Sequence, residues 1–176
     1  SKCKDGIPAN TYDEINTIMD LLYGSYNANT AVESIYIYFN NAGRQFISSN
    51  NRITNLDYFF DQDWYDSYQA HISGPEQTWS EFRKIAPYNF AGSTREIFTI
   101  YRKIFSPGKR TPEGVIVLNV RGDHVNRTLN ELVGEENHLF FVTDGEGRVI
   151  FRNRQAGAER AEAVLAAGNA REARIT

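Results

Sequence analysis

The sequence has a single cysteine, Cys3, among its 176 residues. One cysteine excludes an internal disulfide and a zinc site built from cysteines. Long apolar runs are also missing, because no stretch approaches the roughly 20 apolar residues that a membrane-spanning helix needs. The net charge of −3 and the scattered Lys and Arg residues offer no basic surface for nucleic acid. We therefore expect neither a membrane span within residues 1–176 nor a nucleic-acid partner.

Sequence signatures of catalysis and metal binding are missing as well. His71, His124 and His138 are far apart in the sequence, and no HxxxH pair occurs. The chain has no Gly-x-Ser-x-Gly elbow and no glycine-rich phosphate loop before a helix. The acidic stretch at residues 144–147 is typical of a hairpin turn and not of a calcium loop. We therefore expect a domain without catalytic residues, metal or cofactor, and so not an enzyme.

Aromatic residues are abundant, at 13% of the chain, and most are Tyr or Phe. Such side chains suit half-buried strands and the walls of recesses. A capping box at Thr11 and Glu14 opens an apolar stripe with helical spacing that stops at Gly24, which predicts a helix over residues 11–23. Residues 34–49 alternate around a turn-forming Asn-Asn-Ala-Gly segment, which predicts a β-hairpin.

The rest of the chain predicts further strands and helices. The expected elements are a short helix capped by Asp61, strands at 79–85, 96–105 and 114–120, a helix at 123–133, and a second hairpin formed by 138–143 and 148–152. We expect residues 34–120 to form one antiparallel sheet covered by the first helix, so the predicted fold class is α+β. Residues 154–176 are rich in Ala, Glu and Arg, which favours a weakly packed helix.

The segment with the most chemical content is residues 61–68, DQDWYDSY. On a helix, Trp64, Tyr68 and His71 share one face. Buried indole and phenol groups need hydrogen-bond partners, so such a cluster either plugs a core or walls a pocket for a polar ligand. On composition alone, core packing is the stronger interpretation.

Several strings together resemble the extracellular Cache domains of bacterial receptors. They are SIYIYFNNAGRQFIS, DQDWYDSY, EIFTIYRKIF, GVIVLNV and FFVTDGEGRVIF, together with Trp79. The resemblance covers residues 11 to about 153 and is greatest to the input domains of Gram-positive sensor histidine kinases. It implies a PAS-like membrane-distal module over residues 1–134, which holds the ligand, and the truncated start of a membrane-proximal module over residues 135–176. It also implies a homodimeric receptor with transmembrane helices outside residues 1–176.

The resemblance further implies which residues line the ligand site. In amino-acid-binding members, an Arg before the Trp-Tyr pair grips the carboxylate and a later Asp binds the amino group. Gln62 and Asn119 stand at these two positions here, so both charge partners of a zwitterion are missing. We therefore expect a sugar-like, neutral polar ligand rather than an amino acid. The expected ligand-binding residues are Gln62, Trp64, Tyr65, Tyr101 and Asn119.

Other classes of protein remain open at this point. A secreted hydrolase, a solute-binding lipoprotein and a purely structural spacer are the alternatives to a receptor input domain. The residues Ser1-Lys2 before Cys3 are not the small apolar context that lipid attachment requires. The receptor interpretation predicts that the natural protein continues past Thr176 into a transmembrane helix and a signalling part.

Overall fold

The computed structural model describes five stretches of the chain, which are residues 12–50, 52–86, 94–133, 141–143 and 149–152. The chain divides into two units, residues 1–125 and residues 126–176. The predicted module boundary at residue 134 stays a prediction. The predicted tail helix at residues 154–176 and Cys3 lie outside the described residues.

The described elements comprise three α-helices, one 3-10 helix and eight strands. The helices are α1 (Tyr12–Ala28), the 3-10 helix (Leu56–Tyr58), α2 (Asp63–His71) and α3 (Gly122–Val133). The strands are β1 (Val32–Phe39), β2 (Gln45–Ser48), β3 (Arg52–Asn55), β4 (Thr78–Ile85), β5 (Arg95–Ile104), β6 (Gly114–Arg121), β7 (Phe141–Thr143) and β8 (Val149–Arg152).

Six strands form one antiparallel sheet in the order β3-β2-β1-β6-β5-β4. The two strands at its centre, β1 and β6, are the first and the sixth in sequence order. They pair along most of their length, from Val32 opposite Val120 to Phe39 opposite Gly114. Close approach at this last pair requires glycine, because a Cβ on Gly114 would lie 2.1 Å from the Tyr38 carbonyl oxygen. The expected α+β fold with a helix followed by an antiparallel sheet is confirmed.

The sheet has two different faces because successive side chains of a strand point to opposite sides. In β1, Ile35 and Ile37 contribute to an aliphatic cluster with the apolar stripe of α1, which includes Ile15 and Leu22. Tyr36 and Tyr38 contribute to an aromatic cluster on the other face. The buried members of that cluster are Tyr36, Tyr38, Phe46, Leu56, Phe59, Trp64, Tyr68, Tyr101, Val115 and Val117.

Helix α1 and strand β3 differ from the prediction. Helix α1 continues through Gly24 to Ala28, because this glycine is exposed and only costs helix propensity instead of ending the helix. Strand β3 was not predicted, since its four residues, RITN, show no clear alternation of apolar and polar side chains. It extends the first hairpin by pairing antiparallel with β2.

The second unit contains the hairpin that the sequence predicts. Strands β7 and β8 pair antiparallel, with Phe141 opposite Arg152 and Thr143 opposite Val149. Residues 138–140 and 148 of the predicted strands, and the turn between the strands, lie outside the described residues.

Candidate functional site

The segment before α2 places a carboxylate inside the protein. The sequence predicted that Asp61 caps this helix, and that prediction is wrong, because the N-cap is Gln62 and has no side-chain capping bond. The Asp61 side chain instead pairs with Arg83 of β4, with Nη1 to Oδ1 at 2.6 Å and Nη2 to Oδ2 at 3.1 Å. Both side chains are almost fully buried, with exposed fractions of 6% for Arg83 and 1% for Asp61. A buried charge on each side explains why the two remain together.

The strand register lines up the polar side chains that surround this ion pair. Asn119 of β6 lies opposite Ser34 of β1 on one side and Thr99 of β5 on the other. Strand β4 lies next to β5, with Glu81 opposite Thr99, so Arg83 stands diagonally beside this row. All four polar residues, Ser34, Arg83, Thr99 and Asn119, are buried.

Six side chains form a closed ring of hydrogen bonds, called the Asp61 ring below. Its bonds run from Arg83 Nε to Thr99 Oγ1 (3.0 Å), Thr99 Oγ1 to Asn119 Oδ1 (2.8 Å), Asn119 Nδ2 to Ser34 Oγ (2.8 Å), Ser34 Oγ to Tyr36 OH (3.0 Å) and Tyr36 OH to Asp61 Oδ2 (3.1 Å). The ion pair closes the ring. Along the ring, each group between the two charges donates one of these bonds and accepts another, so all of them point from the cation to the anion.

The charges of the Asp61 ring are stabilised by each other. Burial by itself lowers the pKa of the Arg83 guanidinium, but the hydrogen bonds and charge of Asp61 outweigh this effect and raise it. Burial and the nearby Asp61 charge also raise the pKa of Tyr36 well above its ordinary value. Tyr36 therefore keeps its proton and donates a hydrogen bond to the carboxylate. A fully satisfied polar network in a low-dielectric interior is rigid and favours one arrangement.

A cavity of about 760 Å³ lies between α2 and the edge strand β4. Its lining residues are Asp63, Asp66, Ser67, Ala70 and His71 of the helix and Glu81, Phe82, Arg83, Lys84 and Glu96 of the sheet. Arg83 is the buried member of this lining, so the Asp61 ring forms part of the cavity wall. The site is thus built from a helix with acidic side chains and a strand whose arginine is held in place by the hydrogen bonds of the Asp61 ring.

Three stacked rings connect the helix wall of the cavity to the sheet. The His71 ring lies on Trp79, with centroids 4.6 Å apart, and Trp79 lies on Tyr101 at 4.7 Å. The Trp79 indole Nε1 donates to Ser67 Oγ at 3.1 Å. Tyr101 donates to Glu81 Oε1 at 2.6 Å. Burial raises the pKa of Tyr101, and the Arg83 charge only partly opposes this, so the hydroxyl remains a donor.

The structure separates the predicted site residues into two groups. Tyr101 and Asn119 lie directly behind the cavity wall, because Tyr101 bonds to Glu81 and Asn119 accepts from Arg83. Trp64 and Tyr65 belong with the aromatic cluster, where their rings meet at 5.7 Å. Gln62 is exposed, and its Nε2 donates to the Phe59 carbonyl oxygen. None of the five is among the residues that line the cavity, and their role as ligand contacts stays a prediction.

Trp64 is fully buried and packs against Tyr36, Tyr38 and Phe46, with centroid distances of 5.2–5.9 Å. Its indole Nε1 has no hydrogen-bond partner among the described residues. A change of such a residue to Ala typically costs about 3–5 kcal/mol of stability. Loss of ligand binding in Trp64→Ala would therefore report on the fold as well as on the site.

Sequence reasoning missed Arg83 and the role of Asp61. One signal could have found the arginine: on β4, Trp79, Glu81, Arg83 and Ile85 share one face by alternation, which places two charges on the same face as two large apolar residues. Charges on a half-buried face need partners. The partner itself could not be read from the sequence, since Asp61 and Arg83 are 22 residues apart and on different elements.

The described residues contain no group of three or more His, Cys, Asp or Glu side chains that could hold a metal ion. Over the same part of the chain, no helix combines the length and apolar character needed to span a membrane. Neither a protein-family model nor a curated protein matches the sequence.

Solved structures to which the chain is similar include domains of a chemoreceptor and of the protein RsbU. The sensory domain of the Campylobacter jejuni chemoreceptor Tlp3 (CcmL) with isoleucine bound shares 16% identity at a TM-score of 0.46, over 83% of this chain and 56% of that one. The periplasmic domain of Chlamydia trachomatis RsbU shares 15% at 0.43, over 84% and 48%. The Tlp3 domain in complex with 4-methylisoleucine shares 14% at 0.41, over 83% and 55%.

The chain spans about half the length of these three chains. At such identities and TM-scores, the likeness carries no argument about what this chain binds. The ligands named with Tlp3 belong to that protein.

Proposed function

We propose that this chain is the extracytoplasmic ligand-sensing input domain of a transmembrane signal-transduction receptor, and that it binds a small polar molecule. The observation that carries the proposal is the cavity between α2 and β4, which has a buried arginine in its wall. Ligand sites are typically concave, largely preformed and equipped with a few fixed polar groups. The Asp61 ring supplies such preorganisation, because it holds Arg83 in place before any ligand arrives.

The receptor class is proposed from the sequence strings and their place in the sheet. The Tyr-Arg-Lys string at residues 101–103 and the Gly-to-Asn string at residues 114–119 fall on β5 and β6, which pair with each other. This is the arrangement that the resemblance to Cache domains of sensor histidine kinases implies. A homodimeric two-component sensor kinase, with this domain outside the cytoplasm and its transmembrane helices outside residues 1–176, is the receptor we favour.

The cavity is proposed to bind its ligand without converting it. Ser67 is the one hydroxyl-bearing residue in the lining, and its Oγ accepts a hydrogen bond from Trp79. His71 contacts the Ser67 carbonyl oxygen through Nδ1 at 2.8 Å, so this nitrogen carries a proton. Activation of a serine nucleophile needs a base that accepts the hydroxyl proton. The local hydrogen bonds favour a binding wall over a hydrolase site.

A path for the signal starts at the cavity wall and follows the chain. Arg83 donates to Asn119 Oδ1 at 3.2 Å, and Asn119 lies two residues before the end of β6. Helix α3 begins at Gly122, directly after that strand. Movement of Arg83 on ligand binding would therefore act on the strand that leads into α3. Ligand-dependent autophosphorylation of the full-length receptor would test this part of the proposal.

The first experiment is a thermal-shift screen of sugars and amino acids on the wild type, since a ligand that binds the folded state raises the melting temperature. The key variant is Ala70→Trp, which fills the cavity from an exposed position on α2. Gln69→Trp is the matched control, because Gln69 is the exposed neighbour that does not line the cavity. A ligand of the cavity should stabilise the wild type and Gln69→Trp but not Ala70→Trp.

Two results would count against the proposal. One is a screen in which no small polar molecule stabilises the wild type. The other is a ligand whose stabilising effect is the same in Ala70→Trp as in the wild type, which would place its site elsewhere. On the expected sugar-like ligand, a response to sugars and none to free amino acids is the predicted pattern, because Gln62 and Asn119 replace the two charge partners of a zwitterion.

A further inference from the structure

We infer that Asp61 is a specificity-determining residue, which holds Arg83 in a bidentate pair and thereby closes the cavity to ligands with a free carboxylate. The inference rests on the proposed function, because it names the charge class of the molecule that the same cavity takes. It concerns a residue that does not line the cavity itself and acts through one that does.

Most of the hydrogen-bond donors of the Arg83 guanidinium are already used within the protein. A guanidinium has five N–H donors in a fixed fork. Four hydrogen bonds already use it, with Nε bonded to Thr99, Nη1 to Asp61, and Nη2 to both Asp61 and Asn119. The bidentate face that would recognise a ligand carboxylate is therefore occupied by the protein's own carboxylate.

A ligand carboxylate would have to compete with the Asp61 carboxylate for Arg83. Asp61 is tethered to the chain beside Arg83, so it loses no translational freedom when it binds, whereas a ligand does. A ligand anion at Arg83 would also lie next to the Asp61 charge in a buried environment, where like charges repel strongly. Displacing Asp61 would leave its carboxylate buried with Tyr36 as its remaining donor in the ring.

The other charged residues that line the cavity are mainly acidic. Asp63, Asp66, Glu81 and Glu96 are acidic, and Lys84 is the one other lysine or arginine in the lining. With Arg83 neutralised by Asp61, the walls repel anions. Together these features favour an amine or an uncharged polar molecule over any carboxylate ligand, and a free amino acid is disfavoured because it carries a carboxylate.

A second ion pair in the same unit is exposed and so offers a contrast with the buried pair of Asp61 and Arg83. Arg44 and Asp57 meet at 2.8 Å, but their side chains are 43% and 51% exposed. Water and salt screen such a pair, and its removal frees no buried charge. The same substitution at Asp57 is therefore a matched control for Asp61.

The experiment removes the tethered carboxylate and offers a free one. Asp61→Ala leaves a space the size of a formate ion beside Arg83, and formate should fill it. We expect formate to raise the melting temperature of Asp61→Ala with a half-maximal concentration at least about tenfold lower than in the wild type, because a buried unpaired charge gains a partner. Chloride at equal ionic strength should have no such effect, and Asp57→Ala should behave as the wild type does.

The dependence on Arg83 completes the test. In the double variant Asp61→Ala/Arg83→Met, the formate effect should disappear. If Asp61→Ala does not fold, Asp61→Asn keeps the side-chain volume and removes only the charge, and acetate should then raise the melting temperature of Asp61→Asn but not that of the wild type. A wild-type protein that itself binds acetate or propionate, with an affinity lost in Arg83→Met, would show that the arginine is open and would overturn the inference whatever happens to the Asp61 variants.

The outcomes separate this inference from the proposed function. Formate rescue of Asp61→Ala in a protein that no screened molecule stabilises would support the role of Asp61 while contradicting ligand sensing. A wild type that responds to a neutral or amine ligand, combined with an Asp61→Ala variant that folds and ignores formate, would support sensing and overturn the role of Asp61.

Discussion

The two faces of the main sheet are built on opposite principles. Under α1, the buried residues are aliphatic, and their contacts have no preferred direction. Under α2, the sheet carries aromatic rings and the Asp61 ring, where each contact depends on orientation. Tolerance to substitution should therefore be high on the α1 face and low on the α2 face. Under the proposed function, the first face serves stability and the second serves recognition.

The largest expected effect comes from leaving one buried charge without its partner. Arg83→Met should lower the free energy of unfolding by roughly 3–5 kcal/mol, because the Asp61 carboxylate remains buried without its partner. The same substitution at Arg44, whose partner Asp57 is exposed, should cost only about 0–1 kcal/mol. Urea denaturation of both variants measures the contrast. Equal costs would remove the distinction between the two ion pairs.

The aliphatic face should respond to the volume that is lost and to little else. Ile15→Ala should cost roughly 2–3 kcal/mol, since Ile15 is buried in the cluster under α1. Ile18→Ala should cost less, because Ile18 is only partly buried at the edge of the same cluster. Urea midpoints give both values. A cost for Ile18→Ala equal to that for Ile15→Ala would mean that exposure does not govern this face.

Two neighbouring residues of β1 compare the faces directly. Tyr36→Phe removes a single hydroxyl from the Asp61 ring, and we expect a cost of about 1–2 kcal/mol because Ser34 and Asp61 each lose a buried partner. Ile35→Val removes a methylene on the other face and should cost about 0.5–1.5 kcal/mol. Addition of a probe that binds the cavity should separate them further. Ile35→Val should keep the wild-type affinity, while Tyr36→Phe should weaken it.

The smallest expected effect is a gain in stability. Gly24 lies inside α1, and apart from the local backbone of that helix nothing lies within 4 Å of a Cβ added there, so Gly24→Ala should stabilise the protein by up to about 1 kcal/mol. Gly114→Ala is the opposing control, because its Cβ would meet the Tyr38 backbone. Melting temperatures of the two variants should move in opposite directions, and a loss of stability in Gly24→Ala would show that α1 does not continue through this position.

The aliphatic face and most elements could be predicted from the sequence, because they follow from local periodicity. The stripe of α1 and the alternation from Ile35 to Phe39 are visible within a few residues of chain. The Asp61 ring could not be predicted, because its members come from β1, β4, β5, β6 and the segment before α2, and meet only through the sheet register. Local capping preference even pointed Asp61 to the wrong partner.

The one-way order of bonds in the Asp61 ring has a consequence for the side chains between its two charges. An arginine cannot accept a hydrogen bond and an ionised aspartate cannot donate one, so the ring cannot run in reverse. The amide of Asn119 therefore has a single allowed orientation, and the hydroxyl protons of Ser34, Tyr36 and Thr99 each have a single allowed direction. With both charges removed, the same four groups could form their hydrogen bonds in either direction. The ion pair thus sets the donor-to-acceptor direction of every hydrogen bond between Arg83 and Asp61 in the polar centre of the sheet.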